Sequence, residues 1–263
     1  MELGFQLLDD LGLAAQRGRR VEVPDGSVRP LCLGALVELG LMARSGTTGL
    51  PGLSSIELSA VRSSVAPVFD GIPREMVIAG QTGAFCVKER VAQPIDDQWT
   101  AFLFHAQQTA ERAGLEKRVA QQLMGALGEL EDNIHLHSQA TGTGFVGYRA
   151  YDGEFEFVVA DHGVGILESL KTCPNYQHLA DAGAALAVAL QEGESRFGRD
   201  ARRGSGFRPL FTGLANLMGR LRFRSGDHIL TIDGRHPDLA MARIQQRSPV
   251  RGFAITVSCR NPS

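Results

Sequence analysis

A chain of 263 residues, 43% of them hydrophobic and 21% charged, is long enough for one large or two small domains with a sizeable core, and its composition excludes bulk disorder. A formal net charge of −2, from 27 basic and 29 acidic side chains, argues against a nonspecific nucleic-acid binder, whose affinity comes from many phosphate contacts. The cysteines Cys32, Cys86, Cys173 and Cys259 lie far apart without CxxC spacing, which disfavours a zinc centre or a disulfide framework and suits buried thiols in a reducing compartment.

The N-terminal MELGFQLLDDLG carries acidic residues and lacks the basic region and apolar run of a secretory signal. No apolar stretch approaches the roughly 20 residues a membrane span needs, so a cytoplasmic chain with no membrane contact is expected. Residues 30 to 43 are apolar enough for a buried helix, with Pro30 suited to its first turn. A Gly- and Thr-rich loop comes after it, at 45 to 53. Short β-like runs come next, at Ser55–Leu58, Glu75–Ile78 and Phe85–Lys88, punctuated by Gly and Pro. Pro94 marks the expected boundary between a small α+β module, residues 1–95, and a second domain, residues 96–263.

After the boundary the periodicity sharpens. Residues 97 to 113 predict a helix that Gly114 ends. Residues 116 to 139 predict a longer one, with Val119, Leu123, Leu127, Leu130 and Ile134 forming a single apolar stripe. Phe145–Ala150 and Phe155–Ala160 read as strands joined through Asp152-Gly153, a strong hairpin signal. A glycine turn begins at Asp161, a helix is expected over 176 to 191, and another is expected from Gly204-Ser205-Gly206 to about Met218. Arg220–Arg224, His228–Asp233 and Phe253–Cys259 read as closing strands. The order predicts an α+β fold with helices layered on one face of a mixed sheet.

Three groups of residues could carry chemistry. Glu129, Asn133 and His137 are spaced by four, so they form a polar ridge opposite the apolar stripe of their helix. A side-chain amide oxygen there can ligate a hard cation that keeps waters and takes phosphate oxygens, and a carboxylate can orient or deprotonate a water. In Val158-Val159-Ala160-Asp161-His162-Gly163-Val164-Gly165-Ile166, an apolar strand runs into an aspartate and two glycines, which let a ligand approach the backbone. Asp161 there could accept a hydrogen bond from an amino group such as that of adenine. In Arg202-Arg203-Gly204-Ser205-Gly206, glycine amides at a helix start, with arginines beside them, suit an anion. Taken singly, these are also what a solvated helix face, an Asp-initiated turn and a basic loop present.

Their order resembles the GHKL superfamily of ATP-binding domains, named for gyrase, heat-shock chaperone, histidine kinase and mismatch-repair proteins. The N box matches as Glu129 to Ser138, the G1 box as Asp161 to Ile166, and the second glycine box as Gly204-Ser205-Gly206. The resemblance covers about residues 97 to 260. It implies a Bergerat-type two-layer α/β sandwich with ATP between the helices and a lid. It implies that Asn133 ligates Mg²⁺, that Asp161 reads the adenine amino group, that Gly163 and Gly165 shape the adenine pocket, and that Gly204 and Gly206 back the phosphates. His137, Ile166, Arg203 and Ser205 fall in the matched boxes or beside them and join the expected nucleotide contacts. In hydrolytic members the residue matching Glu129 is the general base. Two departures stand out: Phe207-Arg208-Pro209-Leu210 comes after Gly206 where the family often has Gly-Leu, and Phe253 comes after Gly252 where it often has threonine.

A histidine-kinase hairpin has no room before the N-box helix, which leaves His105 as a core or surface histidine, and no transducer domain is expected after residue 263. The layout therefore resembles the free-standing bacterial ATP-binding domains, of which anti-sigma serine kinases are one branch. The lid, residues 167 to 203, is long. Residues 1–95 would be a partner-recognition or regulatory module. The expectation is a regulatory cytoplasmic ATPase or protein-directed kinase. The alternative is a nucleotide-gated interaction module with little turnover. A protein partner would meet the N-terminal module or the lid, and a homodimer stays open.

Overall fold

The computed structural model describes residues 1–19, 24–57, 59–88, 97–190, 219–234 and 242–260. The chain opens with β1 (Glu2–Leu3), α1 (Phe5–Gln16), β2 (Arg29–Pro30), α2 (Leu33–Arg44) and α3 (Ser59–Asp70). It continues through β3 (Val77–Ala79), β4 (Thr82–Cys86), α4 (Asp97–Arg112), α5 (Lys117–His137), β5 (Phe145–Tyr151) and β6 (Glu154–Asp161). The last elements are α6 (Gly165–Lys171), α7 (Ala182–Ala189), β7 (Arg220–Asp233) and β8 (Arg243–Arg260).

The predicted helices α4 and α5 and the strands β5 and β6 lie where periodicity puts them. Asp152 and Gly153 both take positive φ (52° and 72°), as a tight turn matched to strand twist requires. The helix expected from residue 176 begins at Ala182, where Asp181 Oδ1 accepts the Ala184 amide at 2.8 Å and caps it. The expected start at Pro30 is displaced too. Pro30 pairs with Leu3 in a short parallel ladder, and α2 starts three residues later. The described part of the run Ser55–Leu58 forms no strand but an isolated bridge, Ile56 to Val28, with backbone bonds from Val28 to Ser55 and from Glu57 to Val28; Leu58 lies outside the described residues. Periodicity does not single out α1 or α3. Gly12 lies inside α1 and Pro67 inside α3, and both residue types are poor in a helix interior. Pro94 falls outside the described residues.

A six-stranded sheet runs in the order β3-β4-β5-β6-β8-β7, and every pairing in it is antiparallel. The α+β class holds, but the expected mixed sheet with one helical face does not. Helices cover both faces. One core joins α4, α5, α6 and α7 to Phe155, Phe157, Val159, Ile255 and Val257. The other joins α1, α2 and α3 to Val158, Ala160 and Ala254. The physical reason is in β6, whose near-continuous apolar run fits a strand buried on both sides rather than one with a wet face. Strands β3 and β4 precede residue 95 yet belong to the sheet, with Thr82–Cys86 paired to Phe145–Arg149. Strand β7 bends at Gly226 (φ 56°) so far that the Gly234 amide donates to the Gly219 carbonyl.

The N-terminal helices meet the sheet through polar groups as well as apolar ones. Arg222 on β7 bonds Glu38 of α2 (2.8 and 3.0 Å) and Asp9 of α1 (2.6 and 3.2 Å). Arg224 bonds Glu38 at 2.9 Å and the Ser248 hydroxyl at 2.9 Å, and Arg247 bonds Asp9 at 2.8 Å. Glu38 and Arg224 are fully buried. Burial pushes the Asp9 carboxyl up, but the bonds and charges of Arg222 and then Arg247 outweigh it and hold it below its ordinary value. On β6, Glu156 is buried and accepts the Leu33 and Gly34 amides at the start of α2, at 2.7 and 2.8 Å.

Helix α2 can come this close because Gly34 has no side chain. A Cβ there would lie 2.1 Å from Thr256 Oγ1. Gly34→Ala is expected to lower the unfolding free energy by about 1–3 kcal/mol, read from the denaturant midpoint. Adding Thr256→Ala removes the two nearest atoms, Oγ1 and Cγ2, and leaves only its Cβ at 2.8 Å, so it should restore part of the loss. Simple addition of two losses in the double variant would refute the contact as the cause.

Candidate functional site

The turn after β6 is packed from all sides. Asp161 ends the strand with its side chain on the α4–α7 face and is 1% exposed. Its Oδ1 accepts the Gly163 amide at 2.7 Å. The Val164 amide donates to the carbonyl of Ser138, the cap residue of α5, at 3.0 Å, and the His162 amide donates to Thr143 Oγ1 at 3.0 Å. Ser225 at the bend of β7 accepts the Ile166 amide and donates to the Gly252 carbonyl, both at 3.0 Å.

Glycine is required here by contact distance. A Cβ on Gly163 would sit 2.1 Å from the Ser138 carbonyl oxygen, and one on Gly252 would sit 2.1 Å from the Asp161 carbonyl oxygen. Gly165 and Gly252 also take positive φ, at 76° and 80°, which favours glycine. In the sequence Gly252 stands out only through its neighbour Phe253. Its role, like that of Ser225, depends on a cross-strand contact that no local signal reveals.

Asp161 Oδ2 is buried and has no hydrogen-bond partner among the described residues. Burial pushes this carboxyl up to about 7, against the opposing pull of the Gly163 and Phe253 amides. A buried polar atom left open at a glycine-lined turn is the kind of group a ligand donor would complete, because leaving it unmade is costly.

Of the polar ridge of α5, His137 reaches the neighbouring helix α6. His137 Nδ1 lies 3.2 Å from Ser169 Oγ on α6. Asn133 is half-buried, and Glu129 one turn further back is exposed. A second i,i+4 pair, Glu131 and His135 at 2.6 Å, lies off this ridge. Ile166 is buried at the start of α6. The structure thus gathers His137, Asp161, Gly163, Gly165 and Ile166 around one turn. Arg203, Gly204, Ser205 and Gly206 lie outside the described residues. His105, expected to be a core or surface histidine, contacts the Tyr148 hydroxyl through Nδ1 and the Thr109 hydroxyl at 3.4 Å. Phe253 joins the core with its ring 6.1 Å from Phe223, edge to face. Thr256 faces the other side of the sheet, under Gly34.

All four cysteines are free thiols. No group of three or more His, Cys, Asp or Glu side chains among the described residues could hold a metal ion, and no described helix is long and apolar enough to cross a membrane. No known family profile matches the chain, and neither the curated proteins nor the solved structures contain a significant match.

An Asp161 carboxyl held near 7 in the fold against an ordinary value of 3.8 keeps its proton where the unfolded chain has lost it. Stability therefore falls as pH rises from about 4 to about 7, and the full penalty stands above that range. Asp161→Asn removes the charge and should raise the unfolding free energy at pH 8 by about 1–3 kcal/mol, with the gain shrinking toward pH 4. Denaturant melts across that range check this; a loss of stability at pH 8 contradicts it.

Proposed function

We propose that this chain binds Mg-ATP as a GHKL-type domain with a Bergerat-like arrangement of α4, α5, β5 and β6, the glycine turn and β8. The observation that carries the reading is the open Asp161 Oδ2 in a turn where side chains at 163 and 252 are sterically forbidden. The adenine amino group supplies the donor that oxygen lacks. An amide oxygen from Asn133 suits Mg²⁺, which needs few protein ligands because waters and phosphate oxygens complete its shell. The lack of a larger cluster of acidic or His ligands among the described residues is compatible with such a site.

Each residue then has a task. Asp161 accepts from the base, Gly163 and Gly165 shape the turn against which the base lies by letting it close on Ser138 and Ser225, and Ile166 offers an apolar contact. His137 orders the junction of α5 and α6. Arg203, Gly204, Ser205 and Gly206 meet the phosphates in this reading. Glu129, exposed on the ridge, is the general base if water is the acceptor of the phosphoryl group.

Two activities fit: a cytoplasmic ATPase or protein-directed kinase with a regulatory role, similar to the anti-sigma serine kinases, and a nucleotide-gated interaction module. Phe253 supports the second, because it packs into the core where the resembled domains often offer a threonine hydroxyl. The protein partner would meet the N-terminal helices or the lid.

Calorimetry should find Mg-ATP bound by the wild type and at least about tenfold weaker in Asn133→Ala and in Asp161→Ala, about 1.4 kcal/mol each. Unchanged affinity in both variants rules the reading out. A carboxylate accepts from adenine better than a carboxylic acid that has its proton on the open oxygen. With Asp161 titrating at about 7, affinity should therefore be about tenfold weaker at pH 6 than at pH 8, and this difference should vanish in Asp161→Asn. Turnover lost in Glu129→Ala with affinity kept marks an ATPase. Label passed from the terminal phosphate to another protein marks a kinase, and neither result marks the gated module.

A further inference from the structure

We propose that Ser225 is the positioning residue of the nucleotide site, and that its place is set from the opposite face of the sheet by the buried cluster of Asp9, Glu38, Arg222 and Arg224. The N-terminal helices then control the site's affinity. The inference rests on the nucleotide reading above and adds how that site is held.

Ser225 is 1% exposed and joins two parts of the site. It accepts from the Ile166 amide at the start of α6 and donates to the carbonyl of Gly252. Gly252 in turn lies directly against Asp161, and a Cβ there would also fall 2.6 Å from Asp161 Oδ1. One hydroxyl therefore sets the spacing between the glycine turn and β8. Replacing it with a methyl group leaves the Ile166 amide and the Gly252 carbonyl without this bridge.

Ser225 itself stands where the sheet is least regular. The β7–β8 register shifts between Ser225 and Gly226 and again between Gly226 and His228. The ladder pairs Ser225 with Phe253 but loses its register immediately afterwards, and a bulge lets the strand bend, so the ladder holds this position from one side only. The neighbouring residue adds a second hold. Arg224 is fully buried on the other face, bonded to Glu38 Oε2 at 2.9 Å and to Ser248. Glu38 is shared with Arg222, which Asp9 also holds. Because successive side chains of a strand point to opposite faces, Arg224 cannot shift without carrying the Ser225 hydroxyl with it. The helices α1 and α2 thus reach the site through a single peptide unit.

The test uses the full chain, with amide exchange at Ile166 and calorimetry of Mg-ATP. Ser225→Ala should speed Ile166 exchange at least about tenfold and weaken Mg-ATP at least about fivefold. Val65→Ala, a core truncation in α3 on the far face, should lower the melting temperature while leaving both readouts unchanged. Glu38→Gln should also speed Ile166 exchange and weaken binding, with Ser225 intact. Where Glu38→Gln does not fold, Asp9→Asn serves the same arm. Unchanged Ile166 exchange in Ser225→Ala overturns the brace, and unchanged exchange in Glu38→Gln, or in Asp9→Asn where that variant is used, overturns its control by the N-terminal helices. Faster exchange with unchanged affinity overturns the positioning role. A wild type that does not bind Mg-ATP defeats the nucleotide reading and with it the control of affinity, while Ile166 exchange still decides whether the brace exists.

Discussion

The structure depends on a group of charges placed where water is excluded. Arg222, Arg224, Asp9 and Glu38 come from a strand and two helices distant in sequence, and they meet between the sheet and its N-terminal layer. Removing such ions from water is unfavourable by several kcal/mol each, and only close geometry with several hydrogen bonds compensates. Here Arg222 makes bonds to two carboxylates, and Glu38 accepts from two guanidiniums. A cluster of this kind adds little net stability compared with an apolar core. Its effect is on registry: any other placement of α1 or α2 strands a buried charge, at about 3–5 kcal/mol for a broken pair. The second core, with Leu36, Leu39 and Val158 fully buried, supplies the driving force, and the charges choose the alignment.

Two buried carboxylates on one strand differ in how far the fold completes their hydrogen bonds. Glu156 and Asp161 both sit on β6, and burial raises both to about 7. Glu156 has each oxygen bonded to an amide of the first turn of α2, where unpaired helix amides and the positive end of the helix dipole stabilise an anion. It is a complete interaction, internal to the fold. Asp161 has one oxygen bonded and one open. The fold carries that unfavourable term without return from any described group, as it does at His162 Nε2, Arg224 Nε and Thr256 Oγ1.

The glycines around Asp161 explain why the turn can pack so tightly. Backbone replaces side chain at Gly163 and Gly252, so the walls of the turn are carbonyls and amides at fixed distances. Their positions are set by elements on either side: the end of α5 supplies Ser138, the loop before β5 supplies Thr143, and the bend of β7 supplies Ser225. The fold is α+β with helices on both faces of an antiparallel sheet, and this turn lies at the end of β6, a strand flanked on both sides in the sheet.

Much of this was legible in the chain itself. The 3.6-residue stripe of α5, the Asp152-Gly153 turn and the Asp161-Gly163-Gly165 sequence are local patterns, set by backbone sterics and by which side of an element is apolar. They located α4, α5, β5, β6 and the turn. The sequence by itself also determined that Glu129, Asn133 and His137 share a helix face. What only the tertiary structure decided is how distant segments close on that turn. Gly252 against Asp161, Ser225 bridging α6 and β8, and Arg224 locked by Glu38 are each contacts across long stretches of chain. The second helical layer, the antiparallel sheet and the inclusion of β3 and β4 in it were hidden for the same reason. Pairing partners and buried ion pairs are chosen by the global packing of apolar faces, and a local window of sequence contains no record of that choice.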